Sequence, residues 1–163
     1  MNDLDTESRD RGRLDHRIPP PVVVLLTGVA MWAASRLTSP IPLDDRVRCP
    51  VAGALALLGL LSAGLGVWEF AWAETTIDPV NVASASTVVR DGIFRYTRNP
   101  MYLGMTTVLL GWGVLLAAPW ALLGPALFAL IVTRFQIVPE ERALGAKFGR
   151  DYADYRMRVR RWL

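Results

Sequence analysis

The chain has 163 residues, enough for one domain, with 52% apolar residues and a net charge of +3 carried almost wholly by arginine. A single cysteine, Cys49, excludes an internal disulfide and a cysteine metal cluster. His16 is the only histidine and lies near the N-terminus, which argues against a histidine metal centre or a serine–histidine nucleophile. No basic surface interleaved with aromatics marks a nucleic-acid partner.

The apolar residues fall in long blocks separated by charged ones, the pattern of an integral membrane protein. Residues 1–18 alternate acids and arginines without apolar periodicity, which predicts a disordered tail. Residues 19–163 then read as one domain. A first apolar block runs from Pro21 to Leu37, and Ser39-Pro40-Ile41-Pro42 breaks it. Asp44, Asp45, Arg46 and Arg48 read as a short polar loop.

The second block, Val51 to Ala73, carries Gly53, Gly59, Gly64 and Gly66, small residues that let helix backbones approach in lipid. Glu69, between Trp68 and Trp72, is expected at the interface or facing the bundle. A long polar connection, 74–99, follows, and its length points to function or disorder. Met101–Ala118 and Trp120–Val138 read as a tight helical hairpin, with Pro119 and Trp120 at its turn. Pro139-Glu140-Glu141 reads as the start of a new helix, with acids at its positive dipole end.

Gly149 is expected to end that helix and Asp151 to begin another. Tyr152, Tyr155, Val159 and Trp162 form an apolar stripe opposite Arg150, Arg156, Arg158, Arg160 and Arg161. An amphipathic helix lying on anionic lipid explains that tail equally well. The predicted fold is an all-α integral membrane protein with four transmembrane helices and C-terminal amphipathic helices on the cytosolic side. Four spans leave four Lys/Arg in the N-terminal tail, three in 74–99 and seven in the C-terminal tail on one side, against Arg36, Arg46 and Arg48 on the other. The positive-inside rule therefore predicts cytoplasmic termini. It also puts 74–104 and 134–162 in one compartment.

Arg98-Asn99-Pro100 is basic and donor-rich, and Pro100 suits the first turn of the next helix. Arg98-Asn99-Pro100-Met101-Tyr102-Leu103-Gly104 resembles the Arg-His-Pro-x-Tyr-x-Gly motif of isoprenylcysteine carboxyl methyltransferases and related phospholipid methyltransferases. Glu140-Glu141, Leu144, Phe148-Gly149, Tyr152, Tyr155 and Val159 follow the second motif of that family. The resemblance covers about 74–163, which makes that stretch the catalytic half. The bacterial look-alikes imply a bacterial cytoplasmic membrane.

The resemblance implies S-adenosylmethionine as methyl donor, bound without a Rossmann domain, and a lipophilic acceptor that arrives from the bilayer. It implies catalytic roles for Arg98, Glu141 and a late arginine, Arg160 or its neighbour Arg161. It implies cofactor contacts from Asn99, Pro100, Tyr102, Gly104, Glu140, Tyr152 and Tyr155. Asn99 departs from the family histidine and cannot titrate near neutral pH. A carboxylate acceptor needs only an orienting arginine, Arg98 or Arg160. An amine or thiol needs a base, for which Glu140, Glu141 and Asp78 are candidates. Two other classes stay open: an NADPH-dependent membrane reductase of related architecture, and a non-catalytic protein that binds membrane lipids.

Overall fold

The computed structural model describes residues 19–73 and 87–163. The predicted tail 1–18 and Asp78 lie outside the described residues. The described residues are helical, without strands. The helices are α1 (Pro20–Ser35), α2 (Asp45–Trp72), α3 (Pro100–Leu116), α4 (Leu123–Val132), α5 (Val138–Phe148) and α6 (Arg150–Arg158). Short 3₁₀ turns, Gly92–Arg95 and Trp120–Leu122, precede α3 and α4.

Among the described residues two helices are long and apolar enough to cross a membrane: Asp45–Trp72, and the continuous rod Trp120–Phe148. Pro20–Ser35 and Pro100–Leu116 are apolar but shorter, at 16 and 17 residues. Only 17% of the most apolar window of α2 is buried. Leu57, Leu58, Leu60, Leu61, Leu65 and Trp68 point outward. In water each such side chain would forfeit a burial gain of about 1.5–3 kcal/mol, so this is the surface of a membrane protein rather than of a soluble core helix.

The predicted polar loop at 44–48 is instead the start of α2. Asp44 Oδ1 accepts from the Arg46 N–H at 2.8 Å and caps the helix, and Arg48 pairs with Asp45 one turn on at 2.6 Å. Four clustered charges read as loop from composition, but a cap followed by an i,i+3 ion pair makes a first helical turn.

α3 is the axis of the bundle, packed against α2, α1 and α4. Its crossing with α2 is the tightest. A Cβ placed on Gly59 would stand 2.5 Å from the Gly104 carbonyl oxygen, and a Cβ on Gly104 would strike the Gly59 carbonyl. Only hydrogen at both positions permits this approach. Gly66 faces Pro100 and Met101, so the C-terminal end of α2 meets the N-terminal end of α3. At the opposite end, the Ile41 N–H donates to the Ala117 carbonyl at 2.6 Å and ties the α1–α2 connection to the α3–α4 turn.

The expected helix start at Pro139 is found in part: Pro139, Glu140 and Glu141 lie in the first turn of α5, but α5 continues from the rod ahead of it. The rod runs through Pro139 by way of a π-turn, Thr133–Ile137. Within an α-helix the Pro139 ring would press on the carbonyl four residues back and leave it unpaired. The wider π-turn just ahead of the proline relieves that clash without ending the helix. Gly149, at φ +52°, does end α5, and α6 starts at once at Arg150. The apolar stripe of α6 turns inward: Tyr152, Tyr155 and Val159 pack with Val88, Leu144 and Phe148. That stripe is therefore not available to lie on lipid.

Gly59→Val is expected to destabilise the bundle by at least about 1–3 kcal/mol, because the obstacle is backbone that cannot swing away. Gly53 has no heavy atom within 4 Å of its would-be Cβ. Gly53→Ala should be neutral or stabilising by up to about 1 kcal/mol. Thermal unfolding in detergent compares the two.

Candidate functional site

The polar turn before α3 is shaped by a proline and by the end of the chain. Pro100 occupies the first helical turn, and Asn99 ahead of it is held out of helical geometry at φ −135° and ψ 58°. The C-terminal segment beyond α6 is extended from Val159 and runs alongside this turn. The Arg98 N–H donates to the Arg160 carbonyl at 3.1 Å. Asn99 Nδ2 donates to the Arg161 carbonyl at 2.9 Å, and Thr97 Oγ1 to the same oxygen at 3.3 Å. The Asn99 N–H closes back on Thr97 Oγ1 at 3.2 Å.

This pairing delivers Arg161, rather than Arg160, to the acids of α5. Arg161 Nε and Nη2 donate to the two Glu141 oxygens at 2.9 and 2.8 Å, a bidentate fork. Arg98 Nη1 lies 2.9 Å from Glu141 Oε1 on the other side. Arg98 and Glu141 are buried, with side chains 9% and 8% exposed, whereas Arg161 is 35% exposed. The hydrogen bond that Arg161 donates to Glu141 holds its guanidinium above its ordinary pKa, with desolvation opposing. Arg160 is exposed and contributes only its backbone. The expected role of Arg160 is corrected on this point: the helix ends at Arg158, so helical spacing does not choose between two successive arginines.

Glu140, next along α5, faces a different partner. Tyr102 Oη donates to Glu140 Oε1 at 2.6 Å and lies 3.0 Å from Gln136 Oε1. One hydroxyl proton serves one acceptor at a time, and the shorter contact is to the carboxylate. Gln136 and Glu140 are four residues apart across Pro139 and reach the same hydroxyl.

Around these groups lies a cavity of about 280 Å³. Arg98, Asn99, Tyr102, Glu140, Glu141, Tyr152 and Tyr155 line it, with apolar walls that include Phe70, Phe94 and Leu144. Tyr155 donates to the Phe94 carbonyl at 2.8 Å, and Phe94 stands edge-to-face on Phe70 at 5.4 Å. Burial raises the Tyr155 hydroxyl above its usual range, and Tyr152 beside it adds to this. Burial, then the Glu141 charge, raises Tyr152 as well, while the charge of Arg98 and its hydrogen bond act the other way.

Two features stand out chemically. Two guanidiniums share the single carboxylate of Glu141, so one positive charge on the cluster is unmatched among the described residues. Among the described residues, Arg98 Nε has no hydrogen-bond acceptor, and Nη1 is off the line that a hydrogen bond to Glu141 requires. Buried donors of this kind are costly unless something accepts from them.

Of the expected site residues, Arg98, Asn99, Pro100, Tyr102, Glu140, Glu141, Tyr152 and Tyr155 all border the cavity. Gly104 does not; it is consumed by the crossing with Gly59. Of the two late arginines it is Arg161 that joins the site, and Gln136 and the α1 residues Pro20 and Pro21 join it or its walls without having been expected there. Gln136 alone carried a readable signal, its four-residue spacing from Glu140.

The described residues define a helical membrane protein with a cavity lined by charged groups at one end of its bundle. A family model for phospholipid methyltransferase matches residues 47–151, from α2 to the start of α6, and the chain belongs to that family of methyltransferases. The match reaches further back than the resemblance did, taking in the α2 face that packs on α3. A protein of Haemophilus influenzae (strain Rd), described as an uncharacterized protein, is 44% identical over 63 residues, 39% of this chain and the whole of that protein. No solved structure matches.

Glu141→Ala leaves Arg98 buried without its counter-charge, and a loss of about 3–5 kcal/mol is expected. Arg161→Ala, which removes a partly exposed partner, should cost clearly less; denaturant titration ranks the two. Because burial raises Tyr152 and Tyr155, the folded state holds their protons more tightly than the unfolded chain does. Their contribution is complete below the unfolded value of about 10 and is lost as pH rises through the folded values. Thermal stability should fall above about pH 10, and less steeply in Tyr155→Phe.

Proposed function

We propose that this protein is an integral-membrane, S-adenosylmethionine-dependent methyltransferase acting on a lipophilic acceptor drawn from the bilayer. The observation that carries the reading is Arg98: a buried guanidinium bordering a cavity, with donors left over, among the described residues, after Glu141 has been shared with Arg161. Four spans fit the reading. At 1.5 Å per residue, α1 and α3 reach roughly 24 and 26 Å, short of a hydrocarbon core of about 30 Å by an amount that local thinning absorbs. The excess of Lys and Arg in the sequence segments at the cavity end supports a cytoplasmic placement of that end and of both termini.

The donor set suits S-adenosylmethionine, which supplies an electrophilic methyl group when bound. Arg98 offers its free N–H groups to a carboxylate, and Glu140, which carries no arginine, is the acid left for an ammonium or a transferable proton. Tyr152, Tyr155, Phe94 and Leu144 supply flat and apolar surface for a base and sugar. Glu141 has both oxygens committed to guanidiniums and acts as a positioning residue rather than a base. Glu140 is therefore the base for an amine or thiol acceptor, with Tyr102 holding its orientation. The walls exclude water and hold donor and acceptor in line.

Calorimetric titration of detergent-purified protein with S-adenosylhomocysteine should give saturable binding, and NADPH none. Arg98→Ala should weaken it about 10- to 150-fold, the worth of a hydrogen bond to a charged group, without unfolding, because Glu141 keeps Arg161. Binding of NADPH alone would replace this reading with a reductase. An unchanged affinity in Arg98→Ala would remove Arg98 from the site.

A further inference from the structure

Several arginines that the cavity does not use lie together on one outer face. Residues 94–98 run alongside residues 155–160 and are joined to them at both ends. Tyr155 Oη donates to the Phe94 carbonyl at one end, and the Arg98 N–H to the Arg160 carbonyl at the other. Between those two bonds, Arg95 and Tyr96 on one stretch and Arg156, Met157 and Arg158 on the other are exposed. Arg160 is exposed too, because side chains alternate along the extended backbone after α6. Val159 points inward, Arg160 outward, and Arg161 inward onto Glu141.

Neither stretch carries an acid; Asp154 precedes the second. Among the described residues, Arg95, Arg158 and Arg160 form no ion pair, and Arg158 donates to the Asp154 backbone carbonyl rather than to its carboxylate. Apolar groups stand exposed among these charges: Tyr96 at 75%, Met157 at 78% and Leu163 at 71%. Trp162, beside Leu163, packs against the bundle core that holds Tyr102 and Ile137. The end of the chain therefore lies level with the first turn of α3, where the bundle leaves the membrane. Guanidiniums interleaved with exposed apolar side chains at that level match the headgroup zone of a bilayer. Lipid phosphates accept from the former, and the latter reach the acyl boundary.

We propose that Arg95, Arg156, Arg158 and Arg160, with Tyr96 and Met157 among them, form a seat for anionic phospholipids of the adjoining leaflet, and that lipid held there steadies the C-terminal segment. The occupant is a lipid surface rather than a soluble anion, because a free phosphate leaves the exposed apolar side chains in water. The coupling follows from the backbone. Arg160 and Arg161 are successive residues of one extended segment, so a headgroup that restrains the first restrains the second, which is forked onto Glu141. A ligand that binds the ordered segment better than the loosened one favours the ordered one by mass action. The seat lies outside the cavity and does not depend on what the cavity binds.

The test uses the full-length protein in detergent micelles, titrated with dioleoylphosphatidylglycerol or dioleoylphosphatidylcholine and read as retained lipid by native mass spectrometry. The wild type should retain phosphatidylglycerol in preference. Each of Arg95→Gln, Arg158→Gln and Arg160→Gln should weaken that retention about fivefold, and the three together about 100-fold. Arg158→Lys keeps the charge and should stay within about twofold of the wild type. Thermal unfolding in phosphatidylcholine nanodiscs verifies that each variant is folded. In nanodiscs, hydrogen exchange of the amides in 95–99 and 156–163 should slow when phosphatidylglycerol replaces phosphatidylcholine, in the wild type and not in the triple variant.

Equal retention of the two lipids, or phosphatidylglycerol held as tightly by the triple variant as by the wild type, would overturn the seat. So would binding of glycerol 3-phosphate as strong as that of the lipid, the mark of a site for a soluble anion. Exchange rates alike in the two lipids would overturn the coupling to the C-terminal segment. None of these measurements involves S-adenosylhomocysteine, so the seat stands or falls separately from the methyltransferase reading.

Discussion

The carboxylate of Glu141, shared between Arg98 and Arg161, is the contact on which the arrangement of the chamber depends. It joins three stretches distant in sequence: the turn before α3, the returning rod and the last residues of the chain. A buried ion pair adds little net stability against an apolar substitute, but one partner cannot be removed cheaply once the others are in place. Its value lies in specificity of position. With Arg161 forked onto both oxygens and its carbonyl bound by Asn99, the C-terminal segment has one way to lie, and Tyr152 and Tyr155 follow it into the chamber.

The bundle supplies the frame for that contact. The glycine crossing of α2 and α3 sets two backbones closer than any side chain permits, which fixes the position of the α3 N-terminus relative to α2. The π-turn does the corresponding work on the other side. It lets the rod carry Pro139 without breaking, so Glu140 and Glu141 emerge from a continuous helix instead of a frayed start. Adjacent acids on a helix point about 100° apart, which is why one meets Tyr102 and the other the arginines.

Much of this was legible in the sequence, and the reasons for the rest are physical. Apolar blocks, proline breaks and Gly149 gave the helices, because periodicity and backbone restriction are local properties. The motif residues from Arg98 to Tyr102 and from Glu140 to Tyr155 gave most of the cavity lining. What failed was assignment that needs tertiary context. Gly104 belongs to the same motif as Tyr102, yet its neighbour is Gly59, and no local pattern announces a backbone crossing. Pro139 has the local signature of a helix start, and only the π-turn ahead of it reverses that. Arg160 and Arg161 are indistinguishable by composition; the extended backbone after Val159 decides which of them turns inward.

Asn99 shows how far a position can depart from a family pattern without losing its place in the structure. Its amide donates to the Arg161 carbonyl, a bond that a neutral imidazole N–H also provides. The contact that holds the C-terminal segment therefore survives the change from histidine to asparagine. What does not survive is a group that takes up a proton near neutral pH. Under the proposed reading, Glu140 is, among the described residues, the cavity acid not held by a guanidinium, and it takes any proton released by an acceptor, with Tyr102 fixing one of its oxygens.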